Sequence, residues 1–196
     1  MPTARARPDR VPSPNGGGRS PWRKVAWGGA ALVLLLPLLA MQVTDEVAWG
    51  PGDFALAGTL VVGAGLAFEG AARASGDRAY RIAAGVALTT ALALVWLNLA
   101  VGLIGAEDDP ANLIHGGVLA VGLAGTVLAR LRPRGMARAL LATALAQAAS
   151  AAVALAAGWG AATPHGPLDI LVLDGIFTAS WLLSATLFRH AARAQP

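Results

Sequence analysis

The sequence has no cysteine, a single lysine and few charged residues of either sign. The absence of cysteine excludes disulfides, thiolate catalysis and cysteine-ligated metal sites. Because Lys24 is the only lysine, no lysine within a membrane helix could form a Schiff base with retinal. Charged residues make up 13% of the chain, against about 25% in typical soluble domains. This deficit indicates a protein whose surface faces lipid.

Catalytic signatures are also missing. The chain contains no GxSxG, HExxH or Walker sequence, and no nucleophile–base constellation stands out. It has three histidines, and His190 is predicted at the opposite face of the membrane from His115 and His165. A bis-histidine haem is therefore not expected. An enzyme is not expected either, and no cofactor is predicted.

The apolar segments predict an all-α fold, an integral membrane bundle of six transmembrane helices. Each segment has about 18 to 23 residues, which at about 1.5 Å per residue crosses a hydrocarbon core of about 30 Å. Residues 1–24 are basic and rich in proline and glycine, so they are predicted to form a disordered cytoplasmic tail. A membrane domain (residues 25–188) and a short cytoplasmic tail (189–196) follow. The predicted spans are 25–43, 54–73, 82–104, 114–131, 139–160 and 169–188.

The distribution of charge orients these spans. With six spans, all fifteen lysines and arginines fall on one side, while eight of the eleven acidic residues fall on the other side or in its half of the membrane. The positive-inside rule then predicts cytoplasmic termini and a multi-pass protein of the bacterial inner membrane. The basic residues are expected to meet anionic lipid head groups, not nucleic acid. Alternatively, the first span is a signal peptide cleaved after Ala40, which leaves five spans and an external N-terminus.

Polar residues within the spans are the candidates for function, because an acidic residue at mid-membrane costs about 2.5–3.5 kcal/mol. Asp174, Asn98, His115 and Gln42 come from four predicted helices, all in the outer half of the membrane. They predict one outward-facing pocket for a cation or small solute, in a binding or transport protein. The alternative for Asp174 is a buried hydrogen bond without a ligand. Gln147, in the fifth span, is predicted to hydrogen-bond between helices.

The outer loops carry a second candidate site. Clustered carboxylates with a histidine nearby can bind divalent cations, although the spacing here matches no defined metal motif. The alternative is that such acidic residues cap helix N-termini. The candidate metal ligands are Asp45, Glu46, Glu107, Asp108 and Asp109.

Small residues on the fourth and fifth spans predict close helix packing, since small side chains let helices approach each other in lipid. The alternative use of these faces is docking on a membrane protein partner or a second copy, which would make the protein a non-catalytic accessory subunit. The predicted stripes are Gly116, Ala120 and Ala124, then Gly117, Val121 and Gly125 beside them, and Ala144, Ala148, Ala152 and Ala156.

Three segments resemble a family of small bacterial integral membrane proteins to which no function is assigned. They are Met41-Gln-Val-Thr-Asp-Glu-Val-Ala-Trp49, the stretch from Val95-Trp-Leu-Asn98 to Pro110-Ala-Asn112, and Arg132-Pro-Arg-Gly-Met-Ala-Arg138. The resemblance covers about residues 41 to 150 and implies a membrane location. The size and layout are also similar to the substrate-capturing subunits of energy-coupling vitamin transporters. That similarity is architectural and implies no substrate.

Overall fold

A computed structural model describes residues 21–44, 49–100, 103–104, 110–159 and 166–194 of the chain. Within these residues the fold is all-helical and contains no strand. A short 3-10 turn, Pro110–Asn112, leads into the fourth helix. The helices are α1 (Pro21–Ala40), α2 (Pro51–Ala74), α3 (Arg78–Ala100), α4 (Leu113–Ala129), α5 (Pro133–Ala156) and α6 (Pro167–Arg193).

The chain divides into two compact units, Met1–Ala48 and Trp49–Pro196. Helix α1 belongs to the first unit. Its Pro37 has no backbone N–H to donate, so it weakens the helix locally. The helix ends three residues later, and the amide of Met41 donates to the carbonyl of Pro37 at 2.9 Å.

Five helices of the second unit, α2 to α6, are long and apolar enough to cross a membrane. The protein is therefore a multi-pass membrane protein. The apolar stretch of α1, Trp27–Ala40, is shorter than the roughly 17 to 25 residues of a typical membrane-spanning helix. A sixth span and the orientation of the bundle stay predictions.

Proline and glycine place several helix ends at residues that differ from the ends of the predicted apolar spans. Pro133 opens α5, where its fixed φ suits the first helical turn. The helix therefore begins six residues before the predicted span 139–160, in a stretch that contains two arginines as well as apolar residues. It ends at Ala156, and Gly158 then adopts a φ of 71°, a conformation that glycine accepts readily.

In the second unit α6 lies between α3 and α5, with α2 packed on α3 and α4 packed on α5. Short turns join α2 to α3 and α4 to α5, so these pairs are antiparallel hairpins. We call the end of the unit where α3 and α5 begin the arginine end. Nine arginines lie on its helix ends and turns, namely Arg73, Arg78, Arg81, Arg130, Arg132, Arg134, Arg138, Arg189 and Arg193.

The core near the arginine end centres on Tyr80, which is fully buried. Its ring packs edge-to-face on Phe188, with centroids 5.0 Å apart. Its hydroxyl donates to the carbonyl of Leu131 at 2.7 Å. Leu131 and Arg130 both have positive φ, at 58° and 49°, which side chains disfavour. Tyr80 thus ties α3 to the strained turn between α4 and α5.

The small-residue stripe predicted on α4 is only partly right. A Cβ on Gly125 would lie 2.7 Å from the Cβ of Ala139 on α5, whereas a Cβ on Gly117 would meet nothing within 4 Å. Gly125 is therefore a close-packing position and Gly117 is not.

The stripe predicted on α5 packs against a neighbouring helix over only part of its length. Ala144 is buried, but Ala148 and Ala152 are exposed. Four-residue steps rotate by about 40° each around a helix with 3.6 residues per turn. A strict four-residue repeat therefore turns away from the neighbouring helix.

Candidate functional site

Asp174 is buried where α4, α5 and α6 meet, with 1% of its surface exposed. Its Oδ1 lies 2.6 Å from Nε2 of Gln147 on α5 and 3.2 Å from Nε2 of His115 on α4. It also lies 3.4 Å from Oγ of Ser150. We call these four side chains the polar cluster. They join three helices through a single carboxylate oxygen.

The orientation of the Gln147 amide follows from its second partner. Nε1 of Trp181 lies 3.3 Å from Oε1 of Gln147, and an indole N–H can only donate. The amide oxygen must therefore face Trp181, which leaves the NH2 group to donate to Asp174. In the 2.6 Å contact, Gln147 therefore donates an N–H to the carboxylate of Asp174.

Ser150 is a weaker hydrogen-bond donor to the Asp174 carboxylate than its position suggests. Its hydroxyl oxygen lies 2.7 Å from the backbone carbonyl of Gln147 and 3.4 Å from Oδ1 of Asp174. A hydroxyl has one proton to donate, and the shorter contact takes it. Gln147 and His115 are therefore the principal partners of the carboxylate.

Two atoms of the polar cluster have no hydrogen-bond partner. Oδ2 of Asp174 and Nδ1 of His115 are both buried and unpaired. A carboxylate can accept bonds on both oxygens, and an imidazole uses both nitrogens. Leaving a buried polar atom unpaired costs about 1–3 kcal/mol. Each of these two atoms, at the centre of the cluster, can still form a hydrogen bond.

Apolar side chains close the cluster on the side away from the arginine end. Ile170 lies one turn before Asp174, and Ala154 lies one turn after Ser150. They form a buried apolar group with Ile104. Asn112 positions Ile104, because its Oδ1 accepts the backbone amides of Leu103 at 3.0 Å and Ile104 at 2.9 Å.

The four side chains predicted to share a pocket have different positions. Asp174 and His115 are in contact. Asn98 lies on α3 with its Oδ1 buried and unpaired, and none of the bonds of the Asp174 carboxylate in the described structure goes to it. Gln42 follows α1 in the first unit and is exposed. The presence of Asn98 and Gln42 in one site with Asp174 stays a prediction.

The predicted metal ligands Asp45, Glu46, Glu107, Asp108 and Asp109 all lie outside the described residues. Within the described ranges, no group of three or more His, Cys, Asp or Glu side chains could hold a metal ion. The proposal of a metal site therefore rests on the sequence alone.

The interhelical hydrogen bond predicted for Gln147 is confirmed, but Ser150 and Trp181 were not anticipated as its neighbours. A signal for Ser150 exists in the sequence. Thr143, Gln147 and Ser150 are polar residues on an otherwise apolar helix, at spacings of four and three that place them on one face. All three are buried.

Comparisons of the chain with protein-family models, with curated proteins and with solved structures found no match.

Proposed function

We propose that the protein binds and transports a cation at the polar cluster, and that this cation is a proton. The observation that carries the proposal is the buried contact of Asp174 with His115, with one atom of each side chain unpaired. Ionisable residues inside membrane bundles are costly and usually serve ion or proton pathways.

Charge balance favours a proton as the cargo. Asp174 and His115 are net neutral when they share one exchangeable proton, whether both are ionised or both are uncharged. Loss of that proton leaves a net negative charge among apolar helices, and gain of another leaves a positive one. Because an isolated charge is expensive there, the net-neutral pair is the form that suits these surroundings. Opening towards water would let the pair exchange its shared proton.

A metal fits the described cluster less well. Calcium takes six to eight oxygen ligands, and magnesium prefers an octahedron of oxygens. The polar cluster has one unpaired oxygen and one unpaired nitrogen. A proton needs only one acceptor atom and no coordination shell.

The test is proton flux into liposomes that contain the purified protein and a trapped pH-sensitive dye. With an imposed membrane potential, wild type should acidify or alkalinise the lumen faster than empty liposomes. Asp174→Asn keeps the shape and removes the exchangeable carboxyl, so its flux should fall to the empty-liposome rate. The matched control is Asp169→Asn, the same change five residues earlier on α6. Equal flux for wild type and Asp174→Asn would overturn the proposal.

A second candidate is an accessory subunit of a membrane complex, or a homo-oligomer. The observation that favours it is the exposure of Gly116, Ala120 and Ala124 along one face of α4. Small residues on an open face permit close helix contact. Ala120→Trp should then abolish co-purification of a partner, or dimerisation, in native mass spectrometry. Leu183→Trp, at an exposed position of α6 outside the small-residue stripes, is the control. An unchanged spectrum for Ala120→Trp would contradict this candidate.

We further propose that the bundle has six spans, with both termini in the cytoplasm and the arginine end among anionic head groups of the bacterial inner membrane. The segregation of lysine and arginine supports this orientation. Reporter fusions after Gly76 and Arg134 should be cytoplasmic, and fusions after Asp108 and His165 periplasmic. A periplasmic reporter at Arg134 would overturn the orientation.

A further inference from the structure

A cavity separate from the polar cluster lies between α2 and α3, at the end of the unit opposite the arginine end. It has a volume of about 120 Å³. It is lined by Trp49, Asp53, Leu56, Ala57, Leu60, Trp96 and Leu99. The proposed proton site on α4, α5 and α6 involves none of these residues.

Two indole rings form the aromatic part of the wall. The rings of Trp49 and Trp96 have centroids 5.1 Å apart and planes inclined at 45°. Phe54 supports the ring of Trp49 from α2 by an edge contact at 5.2 Å. Trp96 is 36% exposed, so part of its surface remains available. Indole faces attract cations through their quadrupole, and tryptophan is the best of the aromatic residues for this contact.

The Asp53 carboxylate stands beside these rings. Its Oδ2 accepts the backbone amide of Gly50 at 2.8 Å, which fixes the side chain at the first turn of α2. Within the described residues, Asp53 takes part in no ion pair. Its negative charge is therefore available at the cavity. A carboxylate and two indoles together select a positive charge.

The remaining wall is apolar and follows one face of α2. Leu56, Ala57 and Leu60 follow Asp53 at helical spacings of three, four and seven residues, so they extend from the charged end along the helix. Leu56 is 48% exposed, and the cavity is thus open along its side. An alkyl chain lying in the surrounding lipid could enter it without crossing a polar barrier.

We propose that this cavity binds an amphiphilic cation, with its ammonium group between Asp53 and the two indoles and its alkyl chain along Leu56 and Leu60. The ammonium group can come from a membrane lipid, such as an ethanolamine phospholipid, or from a diffusible alkylammonium compound. Both sources present the same chemistry to the cavity.

The first arm of the test titrates the purified full-length protein with hexyltrimethylammonium and follows tryptophan fluorescence and calorimetric heat. Wild type should bind saturably, and the uncharged analogue hexanol should bind at least about fivefold more weakly. Asp53→Asn, which can still accept the Gly50 amide, should weaken binding about fivefold. Trp96→Leu should weaken it to a similar extent. Trp159→Leu, which removes an indole outside the cavity, and Asp174→Asn should bind as wild type.

The second arm distinguishes the two sources. The protein is released from nanodiscs of equal phosphatidylethanolamine and phosphatidylglycerol and examined by native mass spectrometry. Selective retention of phosphatidylethanolamine that Asp53→Asn and Trp96→Leu lose, and Trp159→Leu keeps, identifies a lipid ligand. Saturable binding of hexyltrimethylammonium without selective lipid retention identifies a diffusible one. Equal affinities of wild type, Asp53→Asn and Trp96→Leu for hexyltrimethylammonium, or equal affinities of wild type for it and hexanol, would overturn the proposal.

Discussion

The two halves of the second unit differ in how their buried polar side chains are hydrogen-bonded. Near the arginine end, Tyr80 and Ser184 each donate one proton to one backbone carbonyl, of Leu131 and Ala83, both at 2.7 Å. In the other half, Asp174 and His115 each keep a buried atom without a partner. Among the described residues of the first half, no buried polar side-chain atom lacks a hydrogen-bond partner, and these two donors are neutral. In the second half it is incomplete, and both residues can carry charge.

Helix packing follows the same division. Gly125 and Gly135, near the arginine end, would bring an added Cβ within 3 Å of Ala139 and Ala129. Gly117 and Gly175, near the polar cluster, are exposed, so an added Cβ there would meet no neighbouring helix. The glycine contacts therefore place the close approach of α4 and α5 at the arginine end. The predictions below test this division, beginning with the largest expected effect.

Gly125→Leu should be the most damaging substitution, because its side chain would be forced into Ala139 on α5. We expect a loss of about 3 kcal/mol in the free energy of unfolding, seen as a lower melting temperature in detergent. Gly117→Leu is the matched control and should melt as wild type. Equal melting of the two variants would mean that α4 is not packed more tightly near the arginine end.

Gln147→Leu removes both the 2.6 Å donor to Asp174 and the acceptor for Trp181. Two buried polar groups lose partners, so we expect a loss of about 2 kcal/mol in the free energy of unfolding. Ala148→Leu, at the exposed neighbouring position, should change it little. A stable Gln147→Leu protein would show that Asp174 does not depend on this amide.

Tyr80→Phe keeps the ring contact with Phe188 and removes only the hydroxyl that binds Leu131. We expect a loss of about 1 kcal/mol, measured by thermal unfolding, and unchanged proton flux. Reduced flux at unchanged stability would contradict the separation of a structural half from a functional half.

Ser150→Ala should have the smallest effect, below about 0.5 kcal/mol, because the proton of this hydroxyl goes to the Gln147 carbonyl. Proton flux in liposomes should stay close to that of wild type. A flux as low as that of Asp174→Asn would place Ser150 among the principal partners of the carboxylate.

The sequence predicted the helices well, because an apolar run of membrane-spanning length has few alternatives to a helix. It also singled out Asp174 and His115, since any ionisable residue in such a run is conspicuous. It could not predict which helix faces meet. Four-residue spacing favoured Gly117 and Ala148, yet neither packs against a neighbouring helix. Helix rotation depends on packing between helices that are distant in sequence, so the position of Gln147 beside Asp174 needed three-dimensional information.

The most direct test of the proton-exchange proposal is infrared spectroscopy of the purified protein in H2O and in D2O. The difference spectrum of wild type should contain a carboxyl or carboxylate band that shifts on deuteration and is missing from Asp174→Asn. Asp169→Asn should retain that band. A wild-type spectrum in which no Asp174-dependent band shifts in D2O would show that Asp174 exchanges no proton and would contradict the account.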